Sequence, residues 1–190
     1  MKKTLYLMRH GQTVFNLRKK IQGAIDSPLT ELGIQQALNT KKFIDSLEID
    51  HAYSSTSERA SDTLELVLGN RLGYTRLKSL KEMSFGSFEG ESEELNPKDR
   101  EKMEDFFVPY GGERRSEVQK RMVDTITEIM NKQDHQNVLI VSHAGASVGF
   151  LSAFHDPKEH LKNGFPNASV LRFEYEEGQF KLLDLYVPEG

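Results

Sequence analysis

The chain contains no cysteine, which removes disulfides, thiolate nucleophiles and cysteine-held zinc or iron–sulfur sites together. It has no apolar run approaching the roughly 18 residues that a membrane span needs, and its mean hydropathy is -0.56. Only Thr4 to Met8 separate Met1-Lys2-Lys3 from Arg9, too short a stretch for the apolar core of a secretion signal, so the cytoplasm is the expected location. There is no excess of basic charge either: 25 Lys and Arg stand against 29 Asp and Glu, a net charge of -4. That balance argues against a surface that attracts nucleic acid or anionic lipid as a whole. Any anion site must be local. No linker rich in Pro, Gly or Ser divides the chain, no repeat recurs, and no segment is low in complexity.

What is present is enough for one globular unit. The 190 residues, 37% of them hydrophobic, match about one domain, expected to span 1–190. Thr4 to Met8, Asp50 to Ser54 and Asn137 to Ser142 read as short strands. The last contains Val138-Leu139-Ile140-Val141, the pattern of a strand buried on both faces of a parallel sheet. Ser169 to Tyr175 and Phe180 to Val187 flank Glu176-Glu177-Gly178-Gln179 and read as a hairpin. Between them lie helical stripes: Ala60, Leu64, Val67 and Leu68; Val118, Met122, Ile126, Ile129 and Met130; and a third from near Thr30 through Ile44. Ser55-Thr56-Ser57-Glu58 and Ser116-Glu117-Val118-Gln119 have capping-box spacing and mark two helix starts. Strands alternating with helices predict an α/β sandwich with a mostly parallel sheet flanked by helices. Glu89 to Gly112, rich in charge and carrying Phe106, Phe107 and Tyr110, reads as an excursion from the core. A solvated helix with a loop and a substrate-shaping insert both fit it.

In open α/β sheets, ligands bind beyond the carboxyl ends of the strands. Here the first strand runs into Arg9-His10-Gly11, the second is followed by Arg59, and Val138 to Ser142 runs into His143. A lone histidine after a strand is more often structural, and a lone arginine is usually solvated. Together, two guanidiniums with imidazoles beside them suit a phosphate or another tetrahedral oxyanion. Arg59 falls in the first turn of its helix, where the macrodipole disfavours a cation by about 0.3–1 kcal/mol; a nearby anion would reverse that.

The blocks LYLMRHGQTVFN, IQGAIDSPLTELG, YSSTSERASDT, LKEMSFGSFEG, GGERRSEVQKRM and VLIVSHAGAS resemble, in order, the motifs of the histidine phosphatase superfamily, the phosphoglycerate-mutase-like proteins. The resemblance spans almost the whole chain and implies a three-layer fold of that type. It also implies roles: His10 as the nucleophile that accepts the phosphoryl group, with Arg9, Arg59 and His143 holding its oxygens. Glu82 would be the acid and base, Asn16 a further phosphate donor, and Gln22 and Gly23 would line the substrate side. An imidazole attacks only when neutral, which the surrounding cations favour, and its other nitrogen needs an acceptor such as the Gly11 carbonyl. Cationic donors would take the place of a metal, so neither a metal nor another cofactor is expected. Glu82 must carry a proton when the ester breaks and lose it when water is activated.

The expected function is a metal-independent phosphatase acting on a small phosphomonoester through phosphohistidine, with no nucleic-acid or membrane partner. A 2,3-bisphosphoglycerate-dependent mutase and a non-catalytic phospholigand-binding module are the alternatives. Mutases of the family are typically longer, whereas only a short excursion separates Gly90 from Gly112 here. Ala144, Phe15 and Phe88 depart from the residues common in similar proteins and bear on pocket shape. His51, His135, His155 and His160 are expected to be structural or surface residues. Leu17-Arg18-Lys19-Lys20 is expected to be a solvated loop, and Asn167-Ala168-Ser169 is a sequon without a glycosylating context.

Overall fold

A computed structural model describes residues 2–98 and 103–189. Its six-stranded sheet has the order β3-β2-β4-β1-β5-β6, formed by β1 (Lys3–Arg9), β2 (His51–Ser55), β3 (Thr75–Leu77), β4 (Asn137–Ser142), β5 (Val170–Glu176) and β6 (Gln179–Tyr186). β3, β2, β4 and β1 pair in parallel, and β5 and β6 add antiparallel partners beyond β1. The helices are α1 (Val14–Leu17), α2 (Glu31–Asp45), α3 (Glu58–Leu68), α4 (Arg115–Asn131), α5 (Ala144–Ser152) and α6 (Pro157–His160).

The sheet is central because its strands are apolar on both sides. Leu5, Leu7, Val138 and Ile140 pack into one core with Met122 and Ile126 of α4 and Phe150 of α5. Their neighbours Tyr6, Met8, Leu139 and Val141 point the other way, into a second core with α2 and α3. The two-residue side-chain period of a strand produces this division, and the result is the expected three-layer sandwich. β1 and β4 run in register from Thr4 opposite Asn137 to Arg9 opposite Ser142, so the segments after β1, β2 and β4 emerge side by side at one end.

Several local expectations shift. β2 and β6 each sit one residue from their predicted bounds, and β3, three residues in length, carried no apolar pattern by which to find it. The hairpin turns at Glu177 and Gly178, both at positive φ, as tight hairpin turns require. Thr30 caps α2 by accepting from the Gly33 amide at 3.0 Å, as expected. The other two caps differ. α3 starts from Ser57 without a side-chain cap, because Ser55 is engaged elsewhere; α4 starts from Arg114, whose amide donates to Glu117 at 2.9 Å, while the Ser116 hydroxyl donates to Glu104. In the 89–112 excursion, residues 99–102 lie outside the described residues. The described parts carry 3₁₀ turns at Glu93–Leu95 and Val108–Tyr110 rather than a solvated helix. Phe107 is fully buried and meets Phe85 and Phe88 edge-on. It packs the excursion onto the core.

The first turn of α2 lies directly on the backbone that follows β1. A methyl group at Gly33 would come within 2.0 Å of the Gln12 carbonyl oxygen, and one at Gly11 within 2.4 Å of the Gly33 carbonyl oxygen. Both contacts are backbone, so no side-chain rotation relieves them. Gly33→Ala is expected to destabilise the protein by about 1–3 kcal/mol, the usual cost of overpacking, as read by urea unfolding.

Candidate active site

Three strand ends supply the site. His10 follows β1 and is buried, with Nδ1 2.7 Å from the Gly11 carbonyl oxygen. Since a carbonyl only accepts, Nδ1 holds the proton and Nε2 keeps its lone pair. The backbone turn is fixed from behind: the Gly11 amide donates to Thr63 Oγ1 at 3.0 Å, and Thr63 donates in turn to the Arg59 carbonyl at 2.7 Å. His143 follows β4, with its ring centroid 5.2 Å from that of His10.

The His143 tautomer is set by a residue that sequence reasoning assigned to a helix cap. Ser55 Oγ accepts from the Ser57 amide at 3.2 Å and lies 2.7 Å from His143 Nε2. The Ser57 amide can only donate, so Nε2 is the acceptor left for the hydroxyl's own proton among the described residues, which places the His143 proton on Nδ1. This Nδ1 is buried and has no hydrogen-bond partner among the described residues.

The two arginines share that property. Arg59, on the first turn of α3, is 1% exposed. Its NH1 donates to the Ile25 carbonyl at 3.0 Å and Asp26 Oδ1 at 2.8 Å, and its NH2 to the Gly23 carbonyl at 3.0 Å. The anion that answers the helix dipole is thus Asp26. Of the five guanidinium protons, the one on Nε and one on NH2 remain, and Nε is buried without a partner. Arg9 donates through NH1 to the Phe165 carbonyl, and its Nε is likewise buried and unpartnered among the described residues. Leaving such a donor unsatisfied costs about 1–3 kcal/mol, more for a charged group. Three such donors from three strand ends describe a site built for an oxyanion.

Burial is the leading cause that pushes His10 and His143 well below the ordinary imidazole value of 6.5, followed for His10 by Arg59 and Arg9, and for His143 by Arg59 and His10. The cations act in the direction the sequence suggested, but desolvation comes first. Arg9 is itself lowered by burial, opposed by the Glu82 carboxylate.

Glu82 is 9% exposed. Its Oε2 accepts from the Gly145 amide at 2.8 Å, and Oε1 from the Ala146 amide at 2.8 Å and its neighbour Met83 at 2.9 Å. The carboxylate therefore caps α5, the helix that His143 introduces. A methyl group at Gly145 would lie 2.7 Å from Glu82 Oε1, so the carboxylate would have to give way to any side chain there.

The remaining predicted residues form a supporting ring. Asn16 Oδ1 accepts from the Thr13 amide at 3.1 Å and from Asn167 Nδ2 at 3.2 Å, and Asn167 also donates to the His10 carbonyl at 3.1 Å. The supposed sequon residue thus joins the site. Gln22 spans Thr13 and Ser27 through hydrogen bonds of 2.8 and 3.0 Å. Gly23 presents its carbonyl to Arg59 and is packed so closely that a methyl group would meet the Met83 carbonyl oxygen at 2.4 Å. Glu89, unremarked in the sequence, receives the Ala24, Ile25 and Phe85 amides at 2.9, 2.7 and 3.0 Å and so ties the loop after Gly23 to the segment after Glu82. Neither Asn167 nor Glu89 carries a local signal; each is recognised only by the backbone groups it meets.

The other histidines lie elsewhere. His51 and His135 stack at 3.5 Å at the opposite end of the sheet, with planes 12° apart, and Asp134 faces both rings. Their ring nitrogens already have partners, His51 with Asp50 and Asp134 and His135 with Asp134 and the Tyr53 hydroxyl. Arg18 and Lys19 are exposed, as expected of a solvated loop. No helix among the described residues is long and apolar enough to cross a membrane.

Nucleophile-type histidine, arginine donors and second histidine at the carboxyl edge of this sheet define a phosphoryl-handling class of protein. Residues 5–188 match the profile of the histidine phosphatase superfamily, branch 1, and the chain belongs to that family. It is 29% identical over 189 residues to the adenosylcobalamin/alpha-ribazole phosphatase of Escherichia coli K12, covering 95% of this chain and 89% of that one. It is 30% identical over 185 residues to the probable phosphoglycerate mutase GpmB of Yersinia pestis, covering 91% and 85%. The crystal structure of phosphoglycerate mutase from Bacillus anthracis superimposes with a TM-score of 0.85 at 30% identity, over 96% of this chain and 92% of that one. The chain is an enzyme of the phosphatase and mutase type.

The depressed histidines link stability to pH. The unfolded chain protonates these imidazoles near pH 6.5 while the folded chain does not, so the unfolded state binds more protons as the pH falls below that value. Stability is expected to be fully present above about pH 7 and to decline on acidification. His143→Gln is expected to show a shallower decline between pH 7 and 5 in urea unfolding.

Proposed function

We propose that the chain forms one histidine phosphatase domain that hydrolyses phosphomonoesters without a metal, through a phosphohistidine at His10. The observation that carries phosphate binding is that Arg9 Nε, Arg59 Nε and His143 Nδ1 are buried without partners among the described residues. Phosphate oxygens would satisfy all three and neutralise buried cations at once.

His10 Nε2 attacks phosphorus with its lone pair while the ester P–O bond breaks, and Nδ1–H stays on the Gly11 carbonyl. Glu82 gives its proton to the departing alkoxide. Oε2 accepts one protein hydrogen bond, so its second lone pair serves as the seat of the mobile proton. In the second half, water attacks the phosphohistidine, Glu82 takes the water proton, the P–N bond breaks and His10 returns neutral. Asn16 acts through Thr13 and Asn167 at the phosphate side, and Gln22 and Gly23 shape the entrance.

Chain length does not separate phosphatase from mutase, since a structure called a mutase is nearly as short. The pocket beside Glu82 favours the phosphatase. A cavity of about 280 Å³ is lined by Met83, Phe85, Val118, Ala144 and Val148, with Arg115 as its charged residue. It is bounded by Met83 and Ala144, the residues that follow Glu82 and His143, whereas Glu82 itself lines a second cavity of about 490 Å³ together with Lys78, Lys81, Glu113 and Arg121. The walls of the first cavity suit an organic leaving group with apolar surface, which supports the phosphatase reading. The absence of cysteine fits a reducing compartment such as the cytoplasm.

The purified chain is expected to hydrolyse para-nitrophenyl phosphate undiminished in EDTA, and His10→Ala to reduce turnover by at least about 10³-fold, as loss of a covalent nucleophile does. Rapid quenching should trap an acid-labile, base-stable phosphoenzyme. Isomerisation of 3-phosphoglycerate faster than phosphate release, in the presence of 2,3-bisphosphoglycerate, would instead assign a mutase; phosphate binding without any phosphoenzyme would assign a binding module.

A further inference from the structure

Glu82 sits on an irregular segment between β3 and the aromatic turn at Phe85, with no helix or strand of its own to fix it. Its carboxylate is held by α5, yet a side chain is placed only as well as its backbone. That backbone is gripped from the other side by a single residue of α4. Arg121 NH1 donates to the carbonyls of Ser79 at 2.8 Å and Lys81 at 2.7 Å, and NH2 to the carbonyl of Glu82 itself at 3.0 Å. Its two remaining protons go to Glu113, Nε to Oε1 at 2.9 Å and NH2 to Oε2 at 3.0 Å. All five donors of the guanidinium are used, three of them on the segment that carries Glu82.

Glu113 closes the arrangement from beyond Glu82, since its Oε2 also accepts from the Ser84 amide at 2.8 Å. The two side chains thus tie backbone groups of residues 79, 81, 82 and 84 to one helix. Ser142 Oγ adds a bond to the Leu80 carbonyl at 2.8 Å, tying the same segment to the end of β4, the residue before His143. We propose that Arg121, oriented by Glu113, is a positioning residue for proton transfer: it sets the Glu82 backbone so that the carboxyl group meets the leaving-group oxygen over the α5 terminus. This rests on the phosphatase proposal. It assigns function to two residues of the GGERRSEVQKRM block that touch neither the phosphate donors nor the apolar pocket.

Geometry explains why arginine is required. The planar fork reaches two carbonyls on one edge, a third beside it and a carboxylate bidentately, whereas a lysine ammonium offers three donors from one atom and cannot span them. Arg121→Lys keeps the charge and loses the span; Glu113→Gln keeps the shape and weakens the grip.

The experiment separates positioning from general damage by the leaving group's need for a proton. Phosphoenzyme formation is measured by rapid quench for wild type, Arg121→Lys and Glu113→Gln, with para-nitrophenyl phosphate and with glycerol 2-phosphate. Nitrophenolate departs unaided, whereas an alkoxide requires the acid. Arg121→Lys is expected to lose about 10²-fold in the alkyl-ester rate, the lower range of general-acid contributions. Its nitrophenyl rate and the KM for both esters should stay near wild type, and Glu113→Gln should show a smaller loss with the same leaving-group dependence. Equal losses on the two esters, or none on either, overturn the positioning role; if Arg121→Lys does not fold by circular dichroism, Glu113→Gln decides by the same criterion. A wild type that forms phosphoenzyme from neither ester overturns the phosphatase proposal itself.

Discussion

The structure depends on keeping charged guanidiniums inside the protein while leaving some of their donors open. Burying a charge is costly unless it is paired and hydrogen-bonded, and the protein meets that requirement on one side of each side chain only. Arg59 is held by two carbonyls and Asp26 and Arg9 by the Phe165 carbonyl, with each Nε kept back. The held side fixes direction; the unpartnered side has the chemistry that suits an oxyanion. A polypeptide that satisfied every donor would be more stable.

The same division runs through the histidines. Each ring has one nitrogen committed, His10 Nδ1 to the Gly11 carbonyl and His143 Nε2 to the Ser55 hydroxyl, and each is kept neutral first by burial and then by the cations around it. Glu82 follows the pattern with its carboxylate against the amides of Gly145 and Ala146. Because α5 begins at the residue after His143, one helix terminus holds the second histidine and the carboxylate in fixed relation. The parallel register of β1 with β4 then brings both to His10. The sheet is therefore part of the site's geometry, since a register slip would separate Arg9 from Ser142 and the pair of rings with them.

Much of this is legible in the amino-acid sequence. Val138-Leu139-Ile140-Val141 announced a strand buried on both faces, and Arg9-His10, Arg59 and His143 declared themselves by standing just past strand ends. The local chemistry of hydroxyls was read less well. Ser55 and Ser116 have cap spacing, yet one sets the tautomer of His143 and the other serves Glu104, because a hydroxyl takes whichever partner the tertiary structure brings nearest. Asn167 reads as part of a sequon and Glu89 carries no signal of its own, yet both hold loops of the site together. β3 was invisible because a three-residue edge strand has no periodicity to display.

By itself the sequence determined the alternation of strands and helices, the two-faced burial of the central strands and the residue types that handle phosphate, since these follow from side-chain period and intrinsic chemistry. Only the tertiary structure decided which donors stay without partners, what Glu82 leans on and which residues grip its backbone. Those properties belong to pairs of residues far apart along the chain, such as Arg121 with Glu82 or Ser55 with His143, and a one-dimensional pattern contains no distances between them.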